Sequence, residues 1–167
     1  MILVWLLRTR QLDDGDLDLL SDFIIGAYRE YPLATWFGSE PTAGDIEGIF
    51  YSKIGGIGSR NVVDIICEAD GMIVGECEIV RTAHDSGVIG IMVRRSYSGR
   101  HAGSEMLDSA MSKAVEIGMA KFTAEVVEEN KDAVRFFISN GFSKIGSREG
   151  EKGGVTARFA ELQKSIR

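Results

Sequence analysis

The segment of this sequence with the most chemical character is Val93-Arg94-Arg95-Ser96-Tyr97-Ser98-Gly99-Arg100-His101-Ala102-Gly103-Ser104. It reads as the link from a strand to a helix. Arg94, Arg95, Arg100 and His101 fall within it. No acid occurs between Asp85 and Glu105, where the overall acid content would place about three. A basic loop directly before a helix N-terminus suits an anion such as a pyrophosphate, because the first-turn N–H groups are free and the helix dipole is positive there. Gly99 and Gly103 let the backbone come close to that anion. The same segment also reads as an ordinary solvated turn.

A second group of residues could move protons. Glu76 and Glu78 stand at i, i+2 on a predicted strand and so share one face. Glu125 lies in a later strand, and Asp85 in a turn beside His84. Each of these acids reads equally as an exposed or paired carboxylate. Asp13, Asp14, Asp16 and Asp18 could draw a cationic amine towards the first helix, or simply form its solvated start. Trp5 and Trp36 could line a pocket; Trp5 also reads as core, as do Met106 and Met111. Two histidines and two cysteines, without zinc-ligand spacing, predict no metal.

The elements that must position these residues follow from periodicity. A strand is expected over residues 2–10, then a helix carrying Leu17, Leu20, Phe23, Ile24, Ala27 and Tyr28 up to Pro32. A second helix over about 42–54 repeats Ile46, Ile49, Phe50 and Lys53, and Gly55, Gly56 and Gly58 are expected to end it. Val62–Ala69 and Met72–Thr82 flank Asp70-Gly71, a two-residue hairpin signal. Direct pairing across that turn sets Cys67 opposite Val74 and Asp64 opposite Cys77. Cys67 and Cys77 are then expected on opposite faces, without a disulfide. A strand over 88–93 precedes the basic loop, and a helix with Met106, Leu107, Ala110, Met111 and Ala114 follows it. Phe122–Val127 reads as a strand. Asn130 can cap a short helix ending at Asn140-Gly141. Two last strands, over 142–146 and 155–162, flank a loop over 149–154. The order β-α-α-β-β-β-α-β-α-β-β predicts one mixed α/β domain over residues 1–167.

Composition narrows the function. With 44% hydrophobic and 26% charged residues the chain reads as globular. A net charge of −6 argues against nucleic acid as partner. The longest apolar run, Ile2 to Leu7, falls short of the ~20 residues a membrane span needs. It lacks the flanks of an export signal, so a cytoplasmic location without membrane contact is expected. The Gly-Lys-Ser/Thr ending of a Walker A loop is absent. A dinucleotide fingerprint is a poorer match: Gly99 is separated from Val93 by five residues, although Glu125 stands at a suitable distance downstream for a ribose contact.

The two motif regions together resemble the GNAT-type N-acetyltransferase superfamily. Its strand-to-helix loop is answered by Val93, Tyr97, Gly99, Gly103 and Leu107, with Arg95 in place of a Pro, Ser98 of an Arg, His101 of the middle Gly and Met106 of a Leu. Its downstream motif is answered by Val126, Asn130, Ala133, Phe136, Gly141 and Phe142, with Phe137 replacing a Tyr. The resemblance covers about residues 72–146. It implies a mostly antiparallel central sheet with helices on both faces, and acetyl-CoA as cosubstrate without a metal.

It further implies that Ser98, Gly99, Arg100, His101, Ala102, Gly103 and Ser104 hold the pyrophosphate. Ile91, Met92 and Val93 would pair with the pantetheine arm, with Val93 N–H as oxyanion donor. Asn130 would contact the arm or order its loop. Phe137 cannot donate a proton to the leaving thiolate and reads as a wall of the acyl pocket. The family's usual acid falls at about Gly87 here, which leaves Glu76, Glu78, Asp85 and Glu125 as candidate bases. The reaction implied is transfer of an acetyl group to a primary amine by direct attack in a ternary complex. The acceptor would be a small molecule or a protein amine, and the assembly a homodimer. The alternative is a non-catalytic, acyl-CoA-binding or regulatory module of the same shape.

Overall fold

A computed structural model describes residues 6–32, 34–35 and 37–166. The expected strand start at Ile2, and Trp5 and Trp36, lie outside these residues. The elements run β1 (Arg8–Gln11), α1 (Leu17–Glu30), α2 (Ala43–Gly58), β2 (Val62–Ala69), β3 (Met72–Ala83), β4 (Ser86–Val93), a 3-10 turn (Arg95–Tyr97), α3 (Ala102–Glu116), β5 (Lys121–Val127), α4 (Lys131–Ser139), β6 (Ser143–Lys152) and β7 (Val155–Ser165). This is the order expected from periodicity. The strands form one sheet, β1-β2-β3-β4-β5-β7-β6. Only β4 and β5 run parallel; the other pairs are antiparallel.

Each face of the sheet carries its own core. α3 lays Met106, Leu107, Ala110, Met111 and Ala114 on one face, against Ile65, Cys77, Ile79 and Phe122. α1 and α2 cover the other with Leu20, Phe23, Ile46 and Phe50, against Ile66 and Ile73. Burying a large apolar side chain contributes roughly 1.5–3 kcal/mol, so these stripes hold the helices to the sheet.

Three expectations are corrected. α2 does not stop at its glycines but continues to Gly58. Gly56 is needed there for space: a Cβ would lie 2.3 Å from the Val62 side chain. The segment over 149–154 is mostly strand, because Gly153 and Gly154, both at positive φ, turn the β6–β7 hairpin in two residues. The Asp70-Gly71 turn forms and Ala69 pairs with Met72, but a bulge at Cys67/Glu68 shifts the register. Cys67 therefore faces Gly75, Ile65 faces Cys77 and Asp64 faces Glu78. Cys67 and Cys77 consequently lie on the same face, in the α3 core, and both are free thiols. The extra residue in one strand is what inverts the alternation.

The acids of the first helix are also redistributed. Asp16 is 4% exposed and takes both guanidinium nitrogens of Arg10 at 2.7 Å. Arg10 also reaches Glu68 at 2.7 Å, tying the start of α1 to β1 and β2. The Arg10 hydrogen bonds hold the Asp16 carboxyl below its ordinary range.

Candidate functional site

β4 and β5 are paired only at Ser86–Val88, opposite 121–123. Beyond Val88 they diverge, and β5 continues against β7 alone. This leaves one edge of β4 without a strand partner from Ile89 to Val93. The Arg94 N–H donates to the Val74 carbonyl at 2.8 Å. Antiparallel alternation then turns the backbone groups of Ile91 and Val93 away from β3 and into the gap, while Met92 bonds to β3.

The gap opens into a cleft of about 1270 Å³ that runs to the N-terminus of α3. His101, the N-cap, is left-handed at φ 65, and Gly99 at φ 74. These two residues bring the chain round so that the first-turn N–H groups face the cleft end. A Cβ on Gly103 would lie 3.1 Å from the Phe136 ring, so that glycine also admits the close approach of α4 to α3. The Asn130 side chain caps α4, accepting from the Ala133 N–H at 3.2 Å. Phe137 is 3% exposed and meets Phe136 and Phe142 edge-on.

The basic loop is less free than its sequence suggests. Arg94 donates to Glu30 at 2.9 Å, and the Arg95 backbone N–H donates to the same carboxylate. The Arg94 guanidinium crosses α1 at Gly26, where a Cβ would lie 2.2 Å from it. Arg95 lies over the Tyr31 ring and Arg100 over Tyr97. The loop is thus fastened to the end of α1.

The other end of the cleft holds a charged cluster. Lys53, on the inner face of α2, reaches Asp64 at 2.9 Å, Glu76 at 2.7 Å and Glu78 at 2.6 Å. Asp64 is fully buried and Lys53 nearly so. Burial opposes the Lys53 charge, but Glu76, Asp64 and Glu78 outweigh it and raise its pKa well above the ordinary lysine range. Burial, and next the Glu76 charge, push the Asp64 carboxyl well up despite Lys53. Across the cleft, Glu125 pairs with Lys152 at 2.8 Å and with Arg148. Burial disfavours its charge, yet these two cations hold it below the usual glutamate range.

The sequence matches the Acetyltransferase (GNAT) family over residues 26–142. The chain belongs to the GNAT acetyltransferase family. The solved structure of yncA from Salmonella typhimurium, with its cofactor acetyl-CoA, superposes with a TM-score of 0.81 at 15% identity, covering 96% of this chain and 94% of that one. A ribosomal-protein-alanine N-acetyltransferase from Brucella melitensis gives 0.80 at 19%, covering 95% and 99%. RimL, a ribosomal L7/L12 alpha-N-protein acetyltransferase in complex with coenzyme A, gives 0.83 at 13%, covering 99% and 97%. A search of curated protein sequences gave no match. Among the described residues, no helix is long and apolar enough to cross a membrane, and no group of His, Cys, Asp and Glu is arranged to hold a metal.

The cleft brings together most of the GNAT residues expected from sequence: Ile91, Met92, Val93, Ser98, Gly99, His101, Ala102, Gly103, Ser104, Asn130 and Phe137. It also gathers Glu76, Glu78 and Glu125. Arg100 and Asp85 are not among its lining residues. Asp85 lies at the β3–β4 turn, where it accepts from Ser86 and faces Lys121; the Ser86 bond, then Lys121, keeps its pKa low. Lys53, Asp64 and Glu30 carry no site role in the sequence reading, yet Lys53 lines the cleft, Asp64 pairs with it and Glu30 holds the basic loop. Lys53 within an apolar helical repeat, and Asp64 within the run Val62–Cys67, are charges at core positions, which is a legible sign of a buried pair.

Proposed function

We propose that the chain, as one domain over residues 1–167, is an acetyl-CoA-dependent N-acetyltransferase acting on a primary amine by direct attack in a ternary complex. The observation that carries this is the unpaired edge of β4 ending at the α3 N-terminus. Outward N–H and C=O groups of Ile91 and Val93 match the amides of a pantetheine arm. Free N–H groups of Ala102, Gly103 and Ser104, with the helix dipole, match a pyrophosphate. The residues present therefore fit acetyl-CoA, which when bound supplies an acetyl thioester in the gap.

The chain's own groups then divide the work. Val93 N–H is oriented to donate to a developing oxyanion. Phe136 and Phe137 wall the gap and keep water from it. Glu76 and Glu78 lie in the same cleft, within reach of a nitrogen that must shed a proton as its bond to the acetyl carbon forms. Phe137 offers no proton to the thiolate, which near neutrality is a tolerable leaving group, since thiols ionise near ~8.5.

Phe137 also favours a second reading, a module that binds acyl-CoA without turnover. Calorimetry with acetyl-CoA and NAD, and thiol release over a panel of amines, test both. The expected result is acetyl-CoA binding, no NAD binding, and thiol release with at least one amine. Binding without release for any amine class establishes the second reading. Absence of acetyl-CoA binding refutes both.

A further inference from the structure

We propose that a second cavity beside α2, together with the open space over Gly90, forms the acceptor site and takes a cationic primary amine. The inference rests on the acetyl-transfer reading above. This cavity, of about 580 Å³, is lined by Gly44, Asp45, Gly48, Ser52 and Val62 and shares Ile49, Lys53, Glu78 and Val80 with the cleft. It has the volume of a small-molecule site. Lys53 and Glu78 are thus the common wall of two spaces, one leading to the β4–β5 gap and the other out along α2.

Gly90 keeps the cleft open beside Glu78. It pairs with Glu78 across β3–β4 and lies two residues beyond the last β4–β5 pair. A Cβ there would meet nothing within 4 Å. An amine seated over Gly90 therefore sits beside the Glu78 carboxylate and next to the strand edge that would hold the acetyl arm. Its remaining atoms have room to run past Glu78 into the second cavity.

Charge selects the occupant. The Lys53 ammonium has three donors and already faces three carboxylates. One cation against three acids leaves the cluster negative, and it stays negative even when Asp64 carries a proton. Asp64 Oδ1, in a fully buried residue, has no hydrogen-bond partner. Glu78 keeps a side-chain exposure of 28% and is the acid the cluster presents to both spaces. Asp45 adds a further acid, and Lys53 is the one cation among the residues lining the second cavity. The α1 residues that close the cleft above, Phe23, Ile24 and Ala27, are apolar and carry no counter-charge. A primary ammonium matches this surface, and an amino acid with a carboxylate beside its amine is repelled by it.

Thiol release from acetyl-CoA, with 1,4-diaminobutane, Nα-acetyl-lysine amide and alanine as acceptors, tests the inference on the full chain. The two cationic amines are expected to exceed alanine at least tenfold in kcat/KM. Gly48→Leu fills the second cavity from a helix position where a Cβ meets nothing within 4 Å, and leucine favours the helix over glycine. It is expected to raise the KM for the better amine at least tenfold and to leave the acetyl-CoA Kd unchanged. Glu78→Gln is expected to raise that KM as well and, because Glu78 is also placed to take the amine's proton, to lower kcat. Gly55→Leu, on the same helix but outside both cavities, is expected to match the wild type. Wild-type KM values in Gly48→Leu, or equal use of alanine and the diamine, overturn the acceptor site alone. No release from wild type with any amine overturns the acetyl-transfer reading and the acceptor site with it.

Discussion

Lys53→Met removes a cation that touches three carboxylates in a mostly buried cluster. Leaving a buried charge without its partner costs about 3–5 kcal/mol. A domain has only about 5–15 kcal/mol of stability to lose. The cost depends on pH in a direction the cluster fixes. In the wild type the raised Lys53 pKa contributes stability that is complete below the unfolded lysine value and is lost only as pH rises through the higher folded one, so it is constant from pH 6 to 8. Asp64, raised in the fold, works oppositely for a carboxyl: the native state holds a proton the unfolded chain releases, and stability declines as pH climbs above ~4 towards its folded value. Without Lys53 the attraction that lowers the Asp64 pKa is gone, so Asp64 must hold its proton to higher pH. Each extra retained proton costs about 1.4 kcal/mol per pH unit. Lys53→Met is therefore expected to be more destabilising at pH 8 than at pH 6, by roughly 2.7 kcal/mol for one proton. Urea unfolding of both proteins at the two pH values measures this. A penalty below about 1 kcal/mol, or one equal at both pH values, refutes the claim that Lys53 balances a buried negative cluster.

Four further outcomes are expected. His101→Gly relieves a left-handed backbone at φ 65 and should stabilise the chain by up to about 1 kcal/mol in urea unfolding, whereas His101→Val should destabilise it. Ser104→Glu places an acid in the first turn of α3, which suits the helix but repels a pyrophosphate, so folding should survive while the acetyl-CoA Kd in calorimetry rises at least tenfold. Gly26→Ala should push the Arg94 guanidinium off α1 and weaken acetyl-CoA binding several-fold, while thermal unfolding changes by less than about 1 kcal/mol, because alanine favours the helix. Burial raises both thiols, Cys77 most, so neither should react with iodoacetamide until the chain unfolds, and non-reducing mass analysis should show no Cys67–Cys77 link, since diagonal cross-strand neighbours stand too far apart for one.

The parts of this site that sequence revealed are the local ones. The loop over 98–104 and the Asn130 cap each lie within a few residues of chain, where glycine placement and side-chain capping fix the backbone. What sequence concealed is long-range. The Cys67/Glu68 bulge leaves no compositional mark, yet it inverts every side chain of β2 relative to β3 as far as Val62. It sets Asp64 beside Glu78 instead of Cys77. The acids gather on the α2 face for that reason. Glu30 lies 64 residues from Arg94, and nothing local in either segment announces their pairing. Glycine and charge give the β6–β7 tip the composition of a loop, whereas its Gly-Gly turn lets the strands pair to the end.

The same geometry weighs the four candidate bases against one another. Asp85 is held at a turn by Ser86 and Lys121 and does not line the cleft. Glu125 lines it but is locked ionised between Lys152 and Arg148, and two cations make it a reluctant proton acceptor. Glu76 and Glu78 share one cation with Asp64, so their negative charge is incompletely balanced, and Gly90 leaves Glu78 open to the gap. Glu78 thus keeps an open side from which an amine can approach, whereas Glu125 is already in contact with two cations. On the acetyl-transfer reading proposed above, we assign proton removal from the amine to the β3 pair, with Glu78 the more exposed of the two.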